Sequence, residues 1–134
     1  MKKTIKQIEQ NGMKYNFLGL PGTNFFKIEV INMFGSSIEK YYNSKYSKNV
    51  YGISHFIEHL VFRCPKDYST DEFMAHLRND GTFNTSTDYD RINYWFKTNM
   101  ENIDLGIKLF CNFAFNTLEN INEEEFQMER KVVY

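Results

Sequence analysis

The residues with the clearest chemical potential lie together at Gly52-Ile53-Ser54-His55-Phe56-Ile57-Glu58-His59-Leu60-Val61-Phe62. His55 and His59 stand four residues apart. On a helix that spacing puts both imidazoles on one face, roughly 6 Å apart at Cβ. Two imidazoles so placed converge on one tetrahedral Zn²⁺, with Zn–N distances of ~2.0–2.1 Å. Glu58 lies three residues after His55 and one before His59. At about 100° per residue the three side chains share an arc of about 100°. Glu58 is then beside the metal without binding it, where its carboxylate can take a proton from a zinc-bound water. Zinc lowers the pKa of that water from about 15.7 to about 7. A hydroxide held next to a general base is the equipment of peptide-bond hydrolysis.

The pattern is rare by chance. With 3 His and 11 Glu in 134 residues, about 0.005 chance matches to H-x-x-E-H are expected. The competing reading, a hydrogen-bonded pair of helix histidines beside an ordinary surface Glu, carries the lesser weight. His76 stands alone on a second predicted helix and reads as a packing or surface residue.

The elements that must position these residues follow from periodicity. Ile53, Phe56, Ile57, Leu60 and Val61 share one helical face from Gly52 to Phe62, and Pro65 ends the run. Ser69 and Glu72 have the spacing of a capping box at the start of a helix over 69–79. Thr4–Gln10 and Met13–Leu20 read as strands about an Asn11-Gly12 turn. Phe25–Phe34, Thr82–Thr87 and Arg91–Thr98 are further strands. Gly35–Asn49, rich in Ser, Tyr and Lys, reads as a loop. Asn99 is placed to cap a helix over 101–116, and Asn122, with Glu125 three residues on, one that runs to Tyr134. The order is strands, two helices, strands, two helices. That predicts an α+β fold: a mostly antiparallel sheet with helices packed on one face.

At 134 residues the chain reads as a single domain, residues 1–134. With 42% hydrophobic and 25% charged residues it is globular rather than disordered, and 17% aromatics can fill a core. A net charge of −1 gives no general case for nucleic-acid binding. Residues 1–50 carry 8 Lys and 3 Glu, while the remainder is acidic, which reads as two solvated faces. Two cysteines make no disulfide framework. No apolar run follows Lys2, Lys3 and Lys6, and no stretch approaches the ~18 apolar residues of a membrane span. The expectation is a cytoplasmic protein with no membrane and no nucleic-acid partner.

These motifs resemble those of the pitrilysin/insulinase family of metallopeptidases, whose inverted zinc motif is H-x-x-E-H. Gly35-Ser36-Ser37-Ile38-Glu39 is similar to the family's G-S-x-x-E stretch. Gly52 to Leu60 resembles its G-[IL]-[AS]-H-[FL]-[LI]-E-H-[ML]. Gly81-Thr82-Phe83-Asn84-Thr85-Ser86-Thr87 resembles its G-x-x-N-A-x-T strand, and Asn122–Val132, with Glu129-Arg130-Lys131-Val132, its E-E-x-x-x-E-R-x-V helix. The match runs over about residues 12–134 in order and spacing.

The resemblance implies a zinc-dependent endopeptidase, or the metal-bearing first portion of one pitrilysin-like domain. His55 and His59 would be zinc ligands and Glu58 the general base. Glu129 would match a second family glutamate that supports the site; alone, it reads equally as a solvated helix residue. Phe83, Asn84 and Thr85 would sit on an edge strand that receives an extended peptide through main-chain hydrogen bonds. Read alone, Asn84 is a turn or strand-end residue.

The chain departs from the family pattern at Thr85, where the family has Ala. The family's third zinc ligand, seven residues after the Glu of E-R-x-V, would fall at position 136, beyond Tyr134. The cluster Glu123, Glu124 and Glu125 has the wrong spacing to replace it. The resemblance also implies a second homologous half or subunit. Three readings follow: the front of a longer peptidase, which is favoured; a short form completed by another chain; or a non-catalytic accessory subunit or peptide-binding module of the same fold.

Overall fold

The computed structural model describes residues 4–46, 51–63, 65–116 and 118–134; Cys64 lies outside them. The elements are β1 (Thr4–Gln10), β2 (Met13–Gly19), β3 (Phe25–Asn32), α1 (Ser36–Tyr46), α2 (Ile53–Leu60), α3 (Thr70–Asn79), β4 (Thr82–Thr87), β5 (Ile92–Asn99), α4 (Ile103–Ala114) and α5 (Glu123–Val133). Among the described residues every strand pairing is antiparallel, and the α+β expectation holds.

The strands do not form one sheet. β1 and β2 make a separate hairpin, paired from Thr4↔Gly19 to Gln10↔Met13. Asn11 and Gly12 both have positive φ, 53° and 76°. That is the backbone of a type I′ turn, whose twist matches the strands it joins. β2 is exposed along its whole length. The second sheet has the order β3-β5-β4, which leaves β4 at an edge.

Alternation on the central strand β5 sets the core. Ile92, Tyr94, Phe96 and Thr98 are buried, and the residues between them face outward. Phe73 and Leu77 of α3 and Leu109, Phe110 and Phe113 of α4 cover that inner face. Phe113 is the hub: its ring lies 5.0 Å from Phe110, 5.2 Å from Phe62 and 6.2 Å from Tyr94. Gly81 lets α3 turn into β4 directly over Phe96, since a Cβ there would lie 2.4 Å from that ring.

Two further expectations change in detail. The predicted loop over 35–49 contains α1 (Ser36–Tyr46). Its buried positions are Glu39 and Asn43, while Tyr41 and Tyr42 are exposed, so the inward stripe is polar and leaves no apolar 3.6-residue signal. Asn99 makes no side-chain cap; a 3-10 turn, Met100–Asn102, precedes α4. The caps at Ser69 and Asn122 form as expected: Ser69 and Glu72 bond reciprocally, and Asn122 Oδ1 accepts from the Glu125 N–H at 2.9 Å. No helix among the described residues is long and apolar enough to cross a membrane.

Candidate metal centre

The site is built around α2, and three neighbours hold it. The first is Glu39 of α1. Its Oε2 accepts from the Gly52 N–H at 2.8 Å and its Oε1 from the Ser54 N–H at 2.6 Å. A buried carboxylate thus takes up free donors of the helix N-terminus and meets the positive end of its dipole. α1 is itself tied to the β4–β5 turn, with Ser37 N–H donating to the Tyr89 carbonyl at 2.8 Å. Gly52 sits at φ 79°, a left-handed conformation that favours glycine, and a Cβ there would meet the Tyr134 hydroxyl at 3.1 Å.

The second neighbour is α5. Phe56 of α2 packs edge-on against Phe126 and Tyr134, at 5.2 and 6.0 Å between centroids. The Tyr134 hydroxyl donates to the Tyr51 carbonyl at 2.6 Å. This packing brings Glu129 to His59, whose Nδ1 lies 2.9 Å from Glu129 Oε2. A carboxylate only accepts, so Nδ1 carries the proton and Nε2 keeps a lone pair that faces His55 Nε2. Glu129 Oε1 accepts from Arg63, with Nε at 2.8 Å and Nη2 also in contact. Arg63 Nη1 lies 3.4 Å from Glu125. Glu129 is 4% exposed, so this charge is buried with its partners in place.

The third neighbour is β4. Thr85 Oγ1 donates to Glu58 Oε1, and Thr87 Oγ1 donates to Glu58 Oε2. Glu58 is 8% exposed. Tyr94 lies buried nearby; burial, and secondarily the Glu58 charge, push its phenol up to about 12.

His55 Nε2 and His59 Nε2 stand 3.2 Å apart, with their rings crossed at 80°. Two nitrogens on one tetrahedral zinc at ~2.05 Å would lie about 3.3 Å apart. The pair therefore fits as two members of a zinc ligand set. Among the described residues no group of three or more His, Cys, Asp or Glu side chains is placed to hold a metal.

The structure brings His55, Glu58, His59, Glu129 and Thr85 together. Phe83 turns inward with Thr85 and Thr87, and its ring lies 5.4 Å from Phe62. Asn84 is exposed on the opposite face of β4. His76 stays apart, 2.9 Å from Asp80 and beside Tyr68. Two cavities flank the site. One of about 410 Å³ is lined by His59, Phe62, Met74 and Phe83, and the other, of about 560 Å³, by His55, Thr87 and Tyr89. Glu58 and Thr85 line both, so they form the ridge between them.

Sequence reasoning missed Arg63 and Thr87, and it did not give Glu39 a role. Arg63 is one helical turn past His59, and Thr87 is two strand positions past Thr85. Same-face spacing was the available signal in both cases.

The family model of insulinase, peptidase family M16, matches residues 44–134. A zinc protease of Helicobacter pylori, PqqE, is 33% identical over 112 residues, which is 83% of this chain and 23% of that protein. An insulin-degrading enzyme homolog of Dictyostelium discoideum is 27% identical over 88 residues, 64% of this chain and 9% of the relative. The crystal structure of a protease from Helicobacter pylori superposes with a TM-score of 0.78 at 28% identity, covering 97% of this chain and 30% of that one. The chain thus spans under a third of each of these relatives.

Proposed function

The chain belongs to the insulinase family of peptidases, and from that premise we propose that it carries the metal-binding and proton-transfer part of a zinc-dependent endopeptidase. The observation that carries this reading is the 3.2 Å separation of the two histidine Nε2 atoms beside a clamped carboxylate. His55 and His59 would hold the metal through Nε2. Zinc, when bound there, supplies the Lewis acidity that lets water lose a proton near neutral pH. Glu58 accepts that proton and later returns it to the leaving amine. Glu129 keeps His59 in the tautomer that presents Nε2. The free edge of β4 offers main-chain N–H and C=O groups to an extended peptide, which crosses the ridge of Glu58 and Thr85 with side chains entering the two cavities. The third protein ligand and the second wall of the site come from outside these residues, from the remainder of a longer chain or from a homologous subunit.

The test is Glu58→Gln in the full-length protein with any partner half it uses. The expected result is zinc content equal to wild type and no turnover of a quenched-fluorescence peptide library. Cleavage that persists, or a variant that loses zinc, removes Glu58 from its role. A wild type that binds peptide but neither zinc nor turns over would make the chain a peptide-binding module of the same fold.

A further inference from the structure

Glu58 is held in an unusual way for a group that must move a proton. Each oxygen accepts from its own threonine, Oε1 from Thr85 and Oε2 from Thr87. The two donors sit two residues apart on one strand, so their side chains leave the same face of β4. A carboxylate gripped at both oxygens cannot rotate about its terminal bond without losing a bond to each. With Glu58 8% exposed, a lost donor is poorly replaced by bulk water. Each oxygen has two lone-pair directions and one threonine fills only one of them. The clamp therefore fixes orientation and still leaves a position for the proton.

β4 is also an edge strand. Its main chain is free on one side while its inward side chains hold Glu58. Thr85 lines both cavities, whereas Thr87 lines one. We propose that Thr85 is a positioning residue: its hydroxyl aims the Glu58 carboxylate, and it does so from the strand on which an extended peptide docks. This rests on the reading of Glu58 as general base and goes beyond it. The strand that binds the peptide and the strand that orients the base are then one rigid object, so orientation is already set when the peptide seats.

The experiment compares Thr85→Val, which keeps β-branching and volume but loses the donor, with Thr85→Ser, which keeps the donor and loses the methyl. Both are made in the full-length protein. For Thr85→Val, kcat is expected to fall about 10–100-fold with KM within about twofold, as for loss of a bond to a charged group. Thr85→Ser is expected to restore most of kcat. Equal loss in both variants, or a change confined to KM, overturns the proposal. A second readout needs no activity. In crystal structures of the metal-free proteins, the Glu58 carboxylate is expected to turn away from its wild-type orientation in Thr85→Val and to keep it in Thr85→Ser. An unmoved carboxylate in Thr85→Val overturns positioning by Thr85. Should the wild type show no peptidase activity at all, the general-base reading fails, and the crystallographic comparison still decides whether Thr85 orients Glu58.

Discussion

Replacing Glu129 by Gln tests the architecture of the site most directly, because it exchanges one oxygen for an NH₂ group in a fixed network. Glu129 accepts on both oxygens: Oε2 faces His59 Nδ1 at 2.9 Å, and Oε1 takes the Arg63 donors. Gln has a single acceptor oxygen. If that oxygen faces His59, the amide NH₂ meets the Arg63 guanidinium, donor against donor. If it faces Arg63, the NH₂ meets the imidazole, which then shifts its proton to Nε2 and withdraws the lone pair that would bind zinc. Either arrangement loses one contact. Removing an outer partner of a ligating histidine typically lowers metal affinity 10–100-fold, or about 1.4–2.7 kcal/mol. Stability should fall less than the ~3–5 kcal/mol of a fully buried broken pair, because the Arg63 side chain is 29% exposed and keeps Glu125 at 3.4 Å. A loss of about 1–2 kcal/mol is expected. Zinc affinity is read by competition with a chromophoric chelator, and stability by thermal unfolding of the metal-free protein. Wild-type zinc affinity in a folded Glu129→Gln protein would refute the orienting role of Glu129.

Other perturbations probe the supports around this network. Glu39→Gln removes one of two acceptors at the start of α2 and leaves the N–H of fully buried Ser54, or that of Gly52, unpaired; a loss of ~1–3 kcal/mol and faster amide exchange in α2 are expected, and unchanged exchange would contradict it. Phe113→Ala opens a cavity where the rings of Phe62, Tyr94 and Phe110 meet, and denaturant unfolding should show a cost of ~3–5 kcal/mol. Tyr94 ionises at about 12 in the fold against 10.0 ordinarily, chiefly through burial. The unfolded chain thus loses this proton first. Its contribution is full below pH about 10 and is lost as pH rises through about 12, a fall of about 3 kcal/mol at most. Denaturation midpoints across that range should decline less steeply in Tyr94→Phe, and identical slopes would show that Tyr94 is not the group responsible.

Elements whose buried face is apolar were legible in the sequence. β5 alternates Ile92, Tyr94 and Phe96 inward, and α4 turns Leu109, Phe110 and Phe113 to the core, so period and position could be read directly. α2 was legible only in part, since it buries Ser54 and Glu58 with Phe56 and Leu60, while Ile53, expected on its apolar face, is exposed. α1 was not legible, because its inward residues, Glu39 and Asn43, are polar. The β1–β2 hairpin was legible from its Asn11-Gly12 turn, but its separation from the other strands was not, since periodicity does not say which strands share a sheet. At the site, the placement of His55, Glu58 and His59 followed from helical spacing alone. The partners of those groups did not, since Thr85 is 27 residues from Glu58 and Glu129 is 70 from His59. Long-range hydrogen bonds leave no local pattern. The family resemblance supplied Glu129 as a candidate, but Arg63, its counter-charge, appears only when α5 is packed on α2.

Helix α2 has only 8 residues, about 12 Å of helix. A helix so short is not stable in water by itself, and its geometry must be imposed by what surrounds it. Three contacts impose it here. Glu39 fixes the N-terminal end, the β4 threonines fix Glu58 at the buried side, and Glu129 fixes His59 near the C-terminal end. Two of the three are buried carboxylates from other helices, and the third is the carboxylate of Glu58 itself. Charged groups hold a position more stringently than apolar packing does, because a displaced buried carboxylate loses its partners along with its contacts. The 3.2 Å spacing between the two Nε2 atoms requires both rings to keep their rotamers, and one of them, His55, is exposed. Its position depends on the helix beneath it more than on its own neighbours. The polar anchoring of α2 is therefore the physical condition for a preformed pair of histidines on so short an element, and weakening any one anchor should loosen the geometry of the pair before it unfolds the chain.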